Sequence, residues 1–277
     1  MKKIIYITML GALSFSALSF NALSAEKQST DEVAKELANP TSALASLHFK
    51  FQTKAFTGDL PNADDQQSNS ILFQPSMPFP LDSGAKILFR PAIPFYIDTP
   101  VFMGTDFSDE SGIGDSSIDL MYSPKAKDGV SHAFGAYITL PTGDEKVGQG
   151  ETTTLGPEYY YVKMAQDSAV GILAFHHWDI AGDIKVSQST SQVFLVALPG
   201  GGWNYGTQPT FTYDWENEQW TVPLNFNVGR TVQWNERPWK LSVELDYYVE
   251  KNEDFGPDWM LTFRISPVVE NVMASWF

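Results

Sequence analysis

The sequence predicts an all-β fold: an up-and-down antiparallel transmembrane β-barrel of about twelve strands, preceded by a short N-terminal helix. Three observations predict it. Residues 71–79 (ILFQPSMPF) return as residues 87–95 (ILFRPAIPF), with turn-forming residues between the copies. Apolar and polar residues alternate along many other stretches, and the links between stretches alternate between short turns and long acidic loops. This combination is typical of outer-membrane barrels.

The repeat at 71–95 indicates a hairpin, because each copy is rich in Ile, Leu and Phe and the intervening residues 82–84 (DSG) favour a turn. It contains four prolines, Pro75, Pro78, Pro91 and Pro94. Since proline cannot donate a ladder hydrogen bond, we expect these prolines at bulges or strand ends near the barrel rim. A polyproline ligand and an edge hairpin of a soluble sandwich are the alternatives, and the apolar neighbours disfavour the first.

Residues 1–25 have the form of a secretory signal peptide. A basic pair, Lys2 and Lys3, precedes an apolar run and a segment of small residues. Cleavage after Ser24 or Ala25 fits this pattern best. The chain contains no cysteine, so it cannot be a lipoprotein and its fold needs no disulfide.

Residues 26–42 are expected to form a short amphipathic helix, and residues 43–277 the barrel. Ser29 or Thr30 can cap the helix, and the Asn39-Pro40 pair should end it. Because this helix precedes the first strand, we expect it either in the periplasm or in the mouth of the barrel, where it could plug the lumen.

The strand predictions depend on alternation with a period of two residues. From residue 45 onward, residues 47, 49 and 51 are apolar, whereas residues 48, 50, 52 and 54 are polar. The longest example is 239–250 (WKLSVELDYYVE). The other predicted strands are 71–79, 87–95, 116–123, 131–140, 154–164, 169–178, 189–198, 204–214, 220–228 and 259–266. One face of each strand should meet lipid and the other the lumen.

The links between these strands fall into two classes. The short ones are 81–85, 123–129, 165–168, 199–202 and 235–237, and the long ones are 57–69, 98–115, 141–152, 179–188 and 251–258. Short periplasmic turns and longer outer loops characterise bacterial barrels. A soluble sandwich has no reason to alternate its loops in this way.

Charge and the chain terminus restrict the partners. The formal net charge is −15, and it becomes −17 without Lys2 and Lys3 because residues 1–25 contain no acid. An acidic chain without a basic stripe repels phosphate, so we expect no nucleic-acid partner. The expected partners are outer-membrane lipid, lipopolysaccharide, a small-molecule substrate and the barrel assembly machinery, which commonly recognises a terminal aromatic such as Phe277. We expect a monomer.

Catalytic and metal-binding patterns are scarce in the mature sequence. It contains no GxSxG, HExxH or GxGxxG motif. The adjacent His176 and His177 would point to opposite faces of a strand and could not share a metal. We therefore expect no enzyme and no cofactor. The loop at 105–115 offers four oxygen ligands as a calcium candidate, Asp106, Asp109, Glu110 and Asp115, but their spacing departs from an EF-hand and a solvated loop is the alternative.

Inward-facing charges predict the candidate site, which is the barrel lumen. The predicted lumen residues are His48, Lys50, Lys54, Arg90, Glu244, Asp246, Glu250 and Arg264. If the last strand closes beside the first, Arg264 lies near Lys50 on one side and near Glu244 on the other. Opposed charges suit a channel, although they could also pair and fill a closed barrel. Strands 169–178 and 189–198 are apolar on both faces, so this half should line an apolar path or receive the helix.

Several motifs, in their order along the chain, resemble the outer-membrane family named for the MetA pathway of phenol degradation. They are ELANPTSALAS at 36–46, the QPxxPF hairpin, GIGD at 112–115 and LPTGD at 140–144. The resemblance implies a transporter-like barrel related in outline to channels for hydrophobic compounds. His48 and Lys50 stand where the family pattern has proline and glutamine, so the resemblance implies no particular substrate.

These features predict a monomeric channel in the outer membrane of a Gram-negative bacterium. Its expected function is passive uptake of small molecules, including hydrophobic or aromatic ones. The main alternative is a structural or surface-interaction barrel that conducts nothing. A further alternative is an outer-membrane enzyme of the phospholipase type.

Overall fold

The structure is a computed structural model that describes residues 29–272 and residue 274. The predicted signal peptide (1–25), residues 26–28 and the terminal Phe277 lie outside the described residues. Within the described ranges, no helix is long and apolar enough to span a membrane.

The N-terminal helix forms where the sequence predicts it. Helix α1 (Thr30–Glu36) follows Ser29, whose hydroxyl accepts a hydrogen bond from the Glu32 N–H at 3.2 Å. The Glu32 carboxylate in turn accepts a hydrogen bond from the Ser29 N–H at 2.7 Å, which completes a capping box. Val33, on the inner face of the helix, is only 1% exposed.

The described chain then forms an all-β barrel. Its strands are β1 (Ala45–Thr57), β2 (Gln67–Pro80), β3 (Lys86–Phe102), β4 (Phe107–Ile113), β5 (Ser116–Ser123), β6 (Val130–Leu140), β7 (Thr152–Met164), β8 (Ser168–Gly182), β9 (Ser187–Gly200), β10 (Trp203–Thr207), β11 (Thr210–Asp214), β12 (Gln219–Trp234), β13 (Arg237–Glu250) and β14 (Gly256–Val269). Two 3₁₀ turns, Ala63–Asp65 and Glu145–Val147, lie in outer loops. Strands β4 and β5 both pair with β3, and β10 and β11 both lie between β9 and β12, so the described strands occupy twelve positions.

The barrel is closed and antiparallel, as predicted. Strand β1 pairs with β2 on one side and with β14 on the other, where Lys50 is opposite Arg264. Each predicted strand lies within one of the twelve positions. The short links join strands at one end of the barrel, which is the periplasmic end in bacterial barrels.

The segment 98–115 differs from its prediction as a long acidic loop. Strand β3 continues to Phe102 and pairs with β4, so that Val101 lies opposite Ser108. This hairpin extends the barrel beyond the apolar belt, where neither face of a strand has to contact lipid. Its sequence therefore lacks the alternation of a lipid-facing strand.

The prediction that the repeat prolines lie at bulges or strand ends was wrong for Pro75 and Pro91. Phe73 pairs with Ile93 and Met77 pairs with Phe89, so the register is unchanged across the repeat and Pro75 lies opposite Pro91. Placing two residues without an N–H opposite each other confines the lost donors to one short part of the β2–β3 ladder. Both prolines also remain in register with the strand on the other side of the hairpin, Pro75 with Leu47 of β1 and Pro91 with Ile118 of β5.

The two faces of the wall differ as the alternation predicts. On β13, Leu245 is 47% exposed on the outside, whereas the inward-facing Asp246 is 5% exposed. Tryptophans flank the apolar belt at both ends, with Trp178, Trp215 and Trp220 near the outer rim and Trp203, Trp234 and Trp239 near the periplasmic rim. Paired aromatic girdles around an apolar band are expected of a transmembrane barrel.

Candidate functional site

The barrel interior has two unlike walls around one cavity. The apolar wall contains a tightly packed cluster of inward side chains from β3 to β9: Leu88, Met121, Ala133, Tyr160, Val162 and Phe194. The charged wall consists of the inward side chains of β1, β13 and β14 and contains His48, Lys50, Lys240, Glu244 and Arg264. Between the walls lies a cavity of about 430 Å³. This volume is within the range of small-molecule sites, roughly 300–1,000 Å³.

On the charged wall, the Glu244 carboxylate forms an ion pair with Arg264 and with no other cation among the described residues. The Arg264 Nη2 lies 3.1 Å from the Glu244 Oε2. Glu244 also accepts hydrogen bonds from Gln208 at 2.7 Å and Asn225 at 2.8 Å. Lys50 donates to the side-chain carbonyl of Gln74 at 2.8 Å. The geometry therefore brings Arg264, Lys50 and Glu244 together, as predicted from closure of the barrel.

Two further residues complete this wall. The His48 Nδ1 lies 2.7 Å from the Ser266 hydroxyl, and the ring lines the cavity. Lys240 also lines the cavity, and in the described part of the chain it has no hydrogen-bond or ion-pair partner. Lys240 is not among the lumen residues predicted from the sequence, although it lies on the same polar face of 239–250 as Glu244.

Arg90, on β3, is the centre of a second charged cluster, which extends to β5 and β7. Its Nη2 lies 2.8 Å from the Asp119 Oδ2 and 3.9 Å from the Glu158 Oε1, and its Nη1 donates to the Tyr160 hydroxyl at 3.0 Å. The Glu158 side chain is fully buried, and neither of its oxygens has a hydrogen-bond partner among the described residues. Arg90 was predicted from the sequence but its partners were not, because they lie one strand position (Asp119) or three positions (Glu158 and Tyr160) away in the ring.

The remaining predicted lumen residues lie nearer the outer end, away from the cavity. Asp246 accepts a hydrogen bond from Asn225 at 2.7 Å, and the Lys54 Nζ lies 5.9 Å from the centre of the Phe56 ring. Glu250 was predicted to face the lumen, but it is exposed at the outer end of β13. The alternation continues to the strand end, yet this end projects beyond the enclosed part of the barrel.

The four calcium candidates do not converge. Asp106 lies at the tip of the β3–β4 hairpin and accepts a hydrogen bond from Asn62, while Asp109 and Glu110 are neighbours on β4 and so face opposite ways. Asp115 is occupied by the N–H groups of Gly143 and Gly150, at 2.9 and 3.0 Å. Across the described residues, no group of three or more His, Cys, Asp or Glu could hold a metal ion.

The outer mouth carries a cluster of half-buried phenylalanines. The ring of Phe255 lies 4.5 Å from that of Phe56 and 4.6 Å from that of Phe107, and Phe107 lies 5.1 Å from Phe102. These residues come from the outer ends of β1, β3 and β4 and from the loop before β14. They form an apolar patch at the extracellular entrance.

The N-terminal segment crosses the opposite, periplasmic mouth, and we call residues 29–44 the strap. At one end the Asp31 carboxylate accepts a hydrogen bond from the Gly202 N–H at 2.6 Å, just before β10. At the other end the Lys86 ammonium, on β3, donates to the Thr41 carbonyl. Positions β3 and β10 are six apart in either direction around the ring of twelve. The strap therefore spans the diameter, and Leu37 and Pro40 line the cavity from below.

Comparisons with known proteins agree on the fold. No family model and no curated protein sequence matches the chain. The crystal structure of the COG4313 outer membrane channel from Pseudomonas putida F1 superimposes with a TM-score of 0.63 at 15% identity, covering 82% of this chain and 94% of that one. The NanC porin (TM-score 0.49, 11% identity, 80% and 99% covered) and the KdgM porin (0.47, 10%, 81% and 98%) are weaker structural likenesses.

An identity of 15% shows a shared barrel fold and nothing finer. The resemblance to the MetA-pathway family, which several short motifs suggested, stays a prediction.

Proposed function

We propose that this protein is an outer-membrane channel for passive uptake of small molecules, including hydrophobic or aromatic ones, and that the strap closes its periplasmic mouth. The observation that carries the proposal is the cavity inside the closed barrel, which the strap bounds at the periplasmic end. The structural likeness to an outer membrane channel agrees with this function and with an outer-membrane location.

The cavity lining favours a transport role over a purely structural one. A barrel selected only for stability would fill its interior or pair its polar groups, since an unpaired buried polar group costs free energy. Here Asn204, Asn227 and Arg264 each keep a buried polar atom without a hydrogen-bond partner among the described residues. All three line the cavity. Polar groups left open in this way are available to a passing solute.

The strap is suited to moving. Helix α1 has seven residues, and isolated helices shorter than about 12–15 residues are marginal in water, so its order depends on contacts with the barrel. Its two ends are held by Asp31 and Lys86. Both anchors are hydrogen bonds to charged groups, which contribute about 1.5–3 kcal/mol each, so losing either anchor should raise the population of the open state.

A lipid-hydrolysing barrel is the competing enzymatic function, and one pair of residues favours it. The His176 Nδ1 lies 2.7 Å from the Ser189 hydroxyl on the lipid-facing side of the wall. However, the His176 Nε2 has no partner in the described chain, so no carboxylate orients the ring, and the Trp215 Nε1 donates to the Ser189 oxygen at 2.9 Å. We assign this pair to the aromatic girdle rather than to catalysis.

Single-channel recording tests the proposal. Purified full-length protein and a variant lacking residues 29–40 would be placed in planar bilayers, and both barrels would first be shown to resist SDS until heated. We expect rare, small openings from the full chain and a persistent, larger conductance from the variant. Asp31→Ala should lengthen the openings of the full chain, whereas Asp59→Ala, an acid removed from an outer loop, should not.

One result would contradict the channel. A folded barrel that lacks residues 29–40 and still conducts nothing would mean that the side chains themselves close the lumen. The protein would then be a structural or surface-interaction barrel.

A further inference from the structure

The cavity is chemically two-sided, and its sides face each other across the barrel. Strands β1 and β8 are six positions apart in either direction around the ring of twelve, which is the full diameter. Lys50 on β1 and Arg264 on β14 line one side of the cavity, and Leu173 on β8 and Phe194 on β9 line the other. A molecule in this cavity meets cations at one end and apolar side chains at the other, and the paired Arg90 and Asp119 line the cavity between these ends.

The charged side has more positive charge than its carboxylate can match. Lys50 lies opposite Arg264 in the β1–β14 ladder, Lys240 lines the same cavity, and Glu244 is already paired with Arg264 at 3.1 Å. An ammonium group has three donors, of which Lys50 uses one, on Gln74. Lys240 has no hydrogen-bond partner within residues 29–272. Two positive charges therefore face the cavity without a matching acid.

A neutral donor lies beside these charges. Asn227 is 5% exposed and lines the cavity, and its Nδ2 has no hydrogen-bond partner among the described residues. The Nε of Arg264 is likewise without a partner there. The open groups on this side are thus mostly donors, which is the chemistry that recognises an anion.

We infer that the lumen binds an amphipathic organic anion, such as a medium-chain or arylalkyl carboxylate. The carboxylate is held by Lys50, Lys240 and Asn227, and the apolar body lies against Leu173 and Phe194. This inference rests on the proposed channel and names the class of solute that its cavity selects. A neutral hydrophobic solute would leave the two ammonium groups unmatched, and a small inorganic anion would leave the apolar side in contact with water.

Calorimetric titration of the refolded full chain in a neutral detergent tests the inference. The probes are octanoate, hexanoate, acetate and octan-1-ol, each corrected for its heat with empty micelles. We expect saturable binding of octanoate, weaker by about fifteenfold for hexanoate because each of the two missing methylenes contributes roughly fourfold. Acetate should bind too weakly to measure, and octan-1-ol should bind more weakly than octanoate.

A pair of variants tests the cations. The double variant Lys50→Gln, Lys240→Gln should weaken octanoate binding by at least about tenfold, because the loss of one hydrogen bond to a charged group lowers an affinity by about tenfold or more. Its affinity for octan-1-ol should not change. Lys163→Gln is the matched control, since it removes a lysine from the exposed outer face of β7 and should leave octanoate binding unchanged.

Two outcomes would overturn the inference. One is equal affinity for octanoate and octan-1-ol in the natural chain, and the other is full octanoate affinity in the double variant. Binding in detergent does not require conduction, so this result is independent of the channel proposal. If the barrel binds octanoate but never conducts, the binding site is supported and the channel proposal fails. If it conducts without binding octanoate, the channel is supported and the inferred binding site fails.

Discussion

The apolar wall and the charged wall of the barrel are built from the same alternating strands, yet they are packed differently. Leu88 and Met121 on the apolar wall are each 1% exposed and lie in a dense cluster. On the charged wall, Lys240 reaches the cavity without a partner, and Arg264 keeps an unpaired Nε within the described chain. The first wall resembles the core of a soluble protein, and the second resembles a binding site. Close packing and open polar groups are therefore divided between opposite sides of one barrel.

The largest effect should come from the apolar wall. Leu88→Ala removes a fully buried side chain from a close-packed cluster, so we expect it to lower the free energy of unfolding by about 2–5 kcal/mol. Lys240→Met, on the charged wall, should not lower it, because no partner is lost and an unpaired ammonium group is removed from the interior. Urea unfolding of the refolded proteins in lipid vesicles measures both. Equal losses would mean that the two walls contribute alike to stability.

A second comparison separates the two faces of one strand. Val193 is 41% exposed on the outside of β9, and the adjacent Gln192 lines the cavity. Arginine at a lipid-facing midplane position costs about 2–4 kcal/mol, so Val193→Arg should be destabilised by that amount. Gln192→Arg places the same side chain in the lumen and should insert normally. The insertion yield into vesicles and the unfolding midpoint measure the difference, and equal tolerance would contradict the assigned facing.

The smallest effect concerns the strap that crosses between the walls. Hydrogen bonds from the Ser29 N–H and hydroxyl hold the pKa of Glu32 below its ordinary value of 4.5. A lowered pKa means that this stabilisation is present above pH 4.5 and is lost as the pH falls through the folded value. Amide hydrogen exchange of residues 33–37, corrected for intrinsic rates, should therefore speed up a few-fold on acidification.

Two variants sharpen this prediction. Ser29→Ala should give faster exchange at neutral pH because the cap is lost. Glu32→Gln keeps a capping-box side chain that does not titrate, so its exchange should not respond to acid. An acid response that persists in Glu32→Gln would assign the effect to another group.

Much of the fold was predictable because its signals are local. The period-two alternation of 239–250 identifies a strand and both of its faces from adjacent residues alone, and the repeat at 71–95 gives a hairpin with its register. The cap at Ser29 is equally local. Part of the site followed as well, because closure of the barrel brings Lys50 opposite Arg264 once the strand order is known.

The rest of the site depends on distances across the barrel. Asp119 and Glu158 join Arg90 from β5 and β7, and no spacing along the chain relates these three residues. The strap is similar, since both of its anchor residues are ordinary in sequence and meet their partners only when the ring is closed.

The twelve strand positions, their facing and the capped helix could therefore be predicted from the sequence alone, because each depends on residues within a few positions of one another. The β3–β4 hairpin, the packing of one wall against the openness of the other, the strap across the mouth and the exposure of Glu250 became visible only in the folded barrel. Alternation tells which side chains point inward. Their depth and their neighbours depend on barrel closure and strand stagger, which join residues distant in the chain.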